Sequence, residues 1–582
     1  MSATTAGVLP RTERPSEWLY GRWTDLLIGC GLGYALSIPL LFAVNRATGV
    51  SEWPGAVAMA LSLLVNSPHY GATIVRVYEA REQRRKYFFF TVYVTLAMAA
   101  LFAASSRNVW LASALITVYV NWNPWHASGQ NYGLTLLFLR RRGVAVDPVT
   151  KRLLYASFVL SAGSAILAIN SGSREFLFLP QTLPVPNAAG YRTFAPPAAL
   201  LVPLWVAVFL AYLGCLGAAA LRLRRRAPHA RDLGPAAVLV FSQALWFSIP
   251  ALLLARGVRI DALVFSTILI SVAHSLQYLW VSAYYARSTQ SPDSTKLFLF
   301  KSLVAGTAVL SLPGLVMAPN VLGKVPWDAG LASTLFAAVN LHHFILDGAI
   351  WKLRDGRVAQ FLLRGPSAPL DSPPSPPERQ SRLRKLIWTA AALSLFVPLT
   401  EIYGKIGLST ATRTEEFQRL TQALKWVGRE TTQVHYQIGL LHAREGRHDE
   451  AIAQLRQSIE LFPTGRVWVA LGNEYRVLGQ WGRARAAFES AIEVNPDVAT
   501  AHFGRAQALL RLSSGSREEA MASLERALAL SPGYSRAAVL LALQYEATGQ
   551  KDEAIRTLER SLGAKEQSNA GSVRRELARL RP

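Results

Sequence analysis

Ten histidines occur in the chain, and five of them lie inside long apolar stretches beside amides, hydroxyls or a carboxylate. In "SLLVNSPHYGATIVRVY", Ser62, Asn66, His69, Thr73 and Arg76 step by four, three, four and three, which is one face of a helix. "VYVNWNPWHASGQNYG" places Tyr119, Asn123, His126 and Gln130 in the same stepping. "SVAHSLQYLW" supplies Ser271, His274, Gln277 and Tyr278. "VNLHHFILDG" supplies Asn340, His343 and Asp347 on one face, with His342 turned about 100° away.

Ionisable groups at membrane depth are costly, about 3 kcal/mol each on insertion scales, so they mark function and need partners. Imidazole-rich sets suit iron, copper or zinc, and with a carboxylate and open positions they suit iron-based oxygen chemistry. The ligand set expected is His69, His126, His274 and His343, with His342 and Asp347 as a fifth ligand or as ligands of a second metal. His342 and His343 cannot both reach one centre from a straight helix without strain. Either one stands behind the other or the site holds two ions. Asn66, Gln130, Gln277 and Asn340 are expected to hydrogen-bond the rings and fix their tautomers. Asp347 and Tyr278 are the candidate catalytic groups. The metal expected is iron, with copper, zinc or haem as alternatives. A polar substrate or proton pathway is the competing use of the same residues, and structural hydrogen bonding the third.

These faces need long apolar elements to carry them. The chain has 582 residues, 51% of them apolar, with 15 Trp, too hydrophobic and too long for one soluble domain. Spans of about 20 residues fit near 25–45, 56–78, 87–105, 109–139, 152–170, 196–221, 235–255, 261–286, 297–317, 327–351 and 384–403, about eleven in all. Pro124 is expected to kink the fourth. The net charge of +24 is carried by short runs between these segments, such as "RRRG" at 140–143 and "RLRRR" at 222–226. Loops after even-numbered spans hold most Lys and Arg, and loops after odd-numbered spans hold one or two. That asymmetry predicts a cytoplasmic N-terminal segment, 1–24, and an extracytoplasmic region after the last span, as in a bacterial inner-membrane protein. It also accounts for the basic balance without a nucleic-acid partner. The four histidine segments are all even-numbered, with their histidines about 13 to 17 residues, or about 20–25 Å, from the outer ends. They should meet in one layer.

Cys30 and Cys215 both fall in apolar segments, which excludes a disulfide framework or a Cys-based metal site. The opening residues lack a short apolar core followed by a cleavage site, so the first span is expected to be retained. The membrane domain is bounded at 25–404, with "GPSAPLDSPPSPPERQ" at 365–380 as a cytoplasmic Pro/Ser-rich loop.

From about 410 the sequence turns polar and repeats itself. "VWVALGNEYRVLGQWGRARAAFESAIEVNP" sets Trp468, Leu471, Gly472, Tyr475, Ala484, Phe488, Ala491 and Pro496 at a recurring spacing. Gly439, Ala451 and Pro463 echo it before. Ala506, Ala520, Ala527 and Pro532 echo it after, with "SSGS" as an insertion, followed by Ala542, Tyr545 and Ala554. This resembles the tetratricopeptide repeat (TPR) family. It implies about four helix pairs and a capping helix, "VRRELARLRP", over 410–582, and a protein or peptide partner. The fold class expected is all-α: a transmembrane helical bundle followed by an α-solenoid.

In style of site, though not in signature, residues 25–351 resemble the histidine-rich integral-membrane metalloenzymes, the lipid desaturases, hydroxylases and carotenoid dioxygenases. Boxes of the HxxHH kind are absent. The resemblance implies an oxygenase or oxidase acting on a lipid or other apolar substrate. With no Cys cluster, nucleotide loop or flavin fingerprint, electrons would come from an external donor. The alternative is a transporter or envelope-assembly scaffold that uses the histidines as a proton or substrate pathway.

Overall fold

The computed structural model describes residues 17–36, 57, 59–78, 81–170, 197–255, 270–289, 294–318, 321–327, 330–351, 362, 382–410, 413–512, 517–564 and 569–581. The Pro/Ser-rich loop at 365–380 and the insertion at 513–516 lie outside them. Helices are the regular elements, and no strand occurs among the described residues. The chain divides into two compact units, one holding most residues up to 406 and the other holding 407–582 with two short segments.

In the first unit, five of the described helices are long and apolar enough to cross a membrane. They are Pro148–Ile169, Ala199–Arg226, Ala230–Leu253, Thr295–Val316 and Arg382–Gly407. The expected count of about eleven is therefore not reached by this measure. The four histidine helices are not among the five, because the amides, imidazoles and carboxylate that make them interesting also dilute their hydropathy. Segments 25–45 and 261–286 are only partly described.

Prolines are absorbed locally. A proline cannot donate to the carbonyl four residues back, and its ring crowds that carbonyl. Pro68 and Pro250 each follow a π-helical turn, Ser62–Asn66 and Ala244–Ser248, which widens the helix ahead of the ring. The Val109–Arg141 helix continues through Pro124. A loop carboxylate, Asp147, starts the Pro148–Ile169 helix by accepting from the amides of Val149 and Thr150. It also pairs with Arg222 and Arg226 at 3.1 and 2.8 Å. The Thr150 hydroxyl and these partners hold its carboxyl well below the usual carboxylate range.

Backbone contact fixes the Ser67–Tyr78 helix. A Cβ on Gly71 would fall 1.7 Å from the carbonyl oxygen of Ser302, and one on Gly306 would fall 1.6 Å from that of Ser67. Ser67 and Gly71 thus lie directly on Ser302 and Gly306, in the small-residue pairing that lets membrane helices approach closely.

The second unit stacks helix pairs. They are Thr432–Arg444 with His448–Leu461, Gly465–Val477 with Trp481–Val494, Ala499–Leu512 with Arg517–Leu530, and Ser535–Ala547 with Lys551–Leu562. Thr414–Trp426 precedes them and Ala570–Leu580 follows. Small residues stand where helices cross: a Cβ on Gly472 would meet the Phe488 ring at 2.7 Å. Gly446, Gly479 and Gly549 take positive φ of 76°, 71° and 78° at the turn inside three pairs, a conformation that glycine adopts without penalty. Val573, Leu577 and Leu580 of the last helix cover Ala538, Ala542, Ala554 and Leu558, apolar surface the array would otherwise expose.

Candidate functional site

Four helices deliver four imidazoles to one place. The ring of His69 lies 4.3 Å from that of His343 and 5.0 Å from that of His274, centre to centre. The His126 ring lies 5.3 Å from both His274 and His343. His69 and His343 are each 2% exposed, and His274 7%. Candidate ligand atoms of His69, His274 and His343 all fall within 4.8 Å of one another, as do those of His126, His343 and Asp347. His343 belongs to both sets.

Polar atoms buried in an apolar bundle normally find partners, since each one left unpaired costs about 1–3 kcal/mol. Here five ring nitrogens have none: Nδ1 of His69, Nε2 of His126, both nitrogens of His274, and Nε2 of His343. Nε2 of His343 sits 3.2 Å from Oδ2 of Asp347, off-line for a hydrogen bond, and Nε2 of His126 sits 4.0 Å from the same oxygen. Neutral imidazole nitrogens aimed at a carboxylate and at one another are the donor set of a transition-metal ion. The residues fit such an ion on that chemistry.

Behind His343 the hydrogen bonds can be followed proton by proton. The Trp351 indole N–H donates to the Tyr278 hydroxyl at 2.9 Å, and Tyr278 donates to Oδ1 of Asp347 at 2.8 Å. Thr73 Oγ1 donates to the same oxygen at 2.9 Å. Its proton being spent there, Thr73 accepts from Nδ1–H of His343 at 3.0 Å. With Thr73 accepting there, His343 carries its proton on Nδ1, and its bare Nε2 lies beside Oδ2 of Asp347.

Two expectations need correction. His342 is not in the cluster, because its Nε2 pairs with the Thr95 hydroxyl at 2.9 Å on the neighbouring Thr95–Ser105 helix. The 100° between adjacent helical residues sends the two rings to different neighbours. The four amides do not hold the rings either. Asn66 accepts from Ser275, and Asn340 accepts from Tyr70 and donates to the carbonyl of Phe336. Gln130 donates to the carbonyl of His274 and to Gln277, which donates to the carbonyl of Gly29. They tie helices to each other and touch no imidazole nitrogen.

Thr73 is visible on the His69 face, but a span hydroxyl ordinarily bonds its own helix backbone, and that hides its role. Trp351 closes the site from beyond the end of the His343 helix, and no sequence spacing signals that. Asp25 is another buried carboxylate that sequence reasoning missed. It accepts from the amides of Leu19 and Tyr20 and from the Trp280 indole, and serves the fold rather than the cluster.

Comparison with known proteins bears on the second unit. Tetratricopeptide-repeat models match residues 432–464, 469–534 and 511–577, so this region carries tetratricopeptide repeats. Among curated proteins, none matches the sequence. Solved structures similar to it include MamA, at 21% identity over 27% of this chain and 92% of that one, with a TM-score of 0.23. YrrB, described as a TPR protein with an unusual peptide-binding site, is 19% identical over 28% of this chain and 84% of its own, with a TM-score of 0.23. A thermophilic TPR protein of Thermus thermophilus is 24% identical over 32% of this chain and 97% of its own, with a TM-score of 0.24.

Proposed function

We propose that this chain is an integral-membrane metalloprotein in which His69, His126, His274, His343 and Asp347 hold a metal ion, iron in the first instance. On this reading the four histidine helices cross the membrane beside the five apolar ones. The observation that carries it is the gathering of five unpartnered ring nitrogens in one buried place, two of them within 4.0 Å of the Asp347 carboxylate. A bound iron ion would supply redox and oxygen chemistry, making the protein an oxygenase or oxidase of an apolar substrate fed by an external electron donor. The chain's own residues orient and hold protons. Thr73 keeps Nε2 of His343 bare, and Tyr278 presents a hydroxyl proton at Oδ1 of Asp347.

The repeat region serves as a protein- or peptide-docking module, as such arrays generally do. The basic-loop asymmetry supports a bacterial inner-membrane location, with the N-terminus in the cytoplasm and the repeats outside.

Metal analysis of the purified protein tests the reading. Iron, or copper or zinc, is expected in stoichiometric amount, and lost together with its optical signature in His69→Ala, His126→Ala, His274→Ala and His343→Ala. A wild-type protein that carries no metal or haem under any growth condition refutes it. One observation favours a second reading: Tyr278, Asp347, Thr73 and His343 form a continuous hydrogen-bonded chain, capped by the Trp351 indole, which a transporter would use to pass protons. Such a transporter would purify without metal.

A further inference from the structure

Beside the cluster lies a cavity of about 300 Å³, at the lower end of the roughly 300–1,000 Å³ typical of small-molecule sites. His126, Gln130, Tyr278 and Asp347 give it one polar end, and the rest of its wall is largely aromatic and aliphatic. Two of its rim residues, Trp125 and Tyr155, are 45% and 46% exposed, so the mouth is apolar and open to the surroundings of the helices. In a membrane those surroundings are lipid.

Three glycines are part of its lining. Gly129 and Gly133 lie one turn apart on the His126 helix, and Gly348 follows Asp347. Glycine in a helix interior is destabilising relative to alanine and needs a reason. At Gly71 and Gly472 the reason is a clash that any Cβ would make. At Gly129, Gly133 and Gly348 a Cβ would meet nothing within 4 Å. The room they leave borders the cavity, and no side chain among the described residues packs into it.

We infer that this cavity binds the hydrocarbon chain of a membrane lipid, laid across Gly129 and Gly133 with one segment beside His126 and Asp347. The site thereby selects an apolar chain as the substrate class. This builds on the metal reading, but occupancy by the chain does not require the metal.

A nitroxide-labelled stearic acid is the probe, added to the full-length protein in detergent and followed by electron paramagnetic resonance, with metal content measured on the same samples. Wild type should show an immobilised spectral component. Gly133→Leu should weaken binding at least about tenfold and leave the metal in place, whereas Gly133→Ala should change it less than about twofold. Should leucine at 133 prevent insertion, a dibrominated stearate should quench tryptophan emission in the wild type, and Trp125→Phe should lose part of that quenching. Absence of an immobilised component in the wild type, or equal binding by wild type and an inserted Gly133→Leu, overturns the inference. Metal present without chain binding sinks this inference alone, and chain binding without metal sinks the metal reading alone.

Discussion

The Thr73 hydroxyl lies 3.0 Å from Nδ1 of His343, across two helices, and sets which nitrogen of that ring is bare. Thr73→Val keeps the shape and removes the acceptor. Metal affinity, read by chelator competition, should fall about 10–100-fold, as losses behind a ligand do. Thr73→Ser should retain most of it. Equal affinities in valine and serine variants would show that the hydroxyl does not govern the ring.

Neighbouring histidines should separate cleanly. His343→Ala should abolish metal binding, because His343 belongs to both ligand sets. His342→Ala should leave metal content unchanged and cost about 1 kcal/mol of stability through its lost bond to Thr95. Gln130→Ala and Gln277→Ala should likewise spare the metal, since these amides bond backbone and each other. Metal analysis together with thermal melts of the detergent-solubilised variants checks all four.

The repeat region carries a pH-dependent pair. Nε2 of His435 lies 3.0 Å from Oε1 of Glu430, and Nδ1 lies 2.9 Å from Gln454. Burial pulls the imidazole down, but the bonds to Glu430 and Gln454 outweigh it and raise it above its ordinary 6.5. The bond to His435 lowers Glu430 below its ordinary 4.5. The histidine's contribution is complete below pH 6.5 and is lost as pH rises through its raised value. The carboxylate's contribution is complete above pH 4.5 and is lost as pH falls through its lowered value. In melts of residues 407–582, the deficit of His435→Gln should therefore be largest between pH 4.5 and 6.5 and shrink above it. A deficit that keeps growing as pH rises from about 6.5 to about 8.5 would reverse the sign and refute the assignment.

Phe488 fills the crossing of the central repeats, fully buried between Gly472 and Gly504. Phe488→Ala should destabilise the repeat fragment by about 3–5 kcal/mol through the cavity it leaves. Gly472→Ala should cost about 1–3 kcal/mol by crowding the same ring. Urea denaturation of the fragment measures both.

Orientation is testable with fused reporters. One placed after Pro582 should report the extracytoplasmic side and one near Pro374 the cytoplasm. Matching signals from both would mean an even number of spans between them.

What can be read from sequence follows the physics of periodicity. A 3.6-residue period fixes which residues share a face, so the sets around His69, His126, His274 and His343 are legible, as is the alternation of small and large residues in the repeats. What a face meets depends on the rotation of its neighbour, which no local spacing encodes. Spacing therefore turns His342 away from His343 without naming Thr95 as the group that takes it, and assigns the amides to rings although other polar groups take them. Trp351 and Thr73 escape for the same reason: each matters through a residue distant in sequence. Hydropathy is blunted in a related way, because imidazoles, amides and a carboxylate interrupt the apolar runs of the helices that carry the site.

The seam where Ser67 and Gly71 rest on Ser302 and Gly306 has a bearing on the bilayer itself. Helices usually meet a change in membrane thickness by tilting or by slipping past one another. These two cannot slip, because a shift along the seam would drive larger side chains into backbone that now stands in direct contact. They must tilt as one body, and His69 must travel with the Ser294–Val316 helix. On the proposed membrane reading, a thinner or thicker bilayer would therefore leave His69 fixed relative to that helix, and any change in the cluster would have to come from the other three histidine helices.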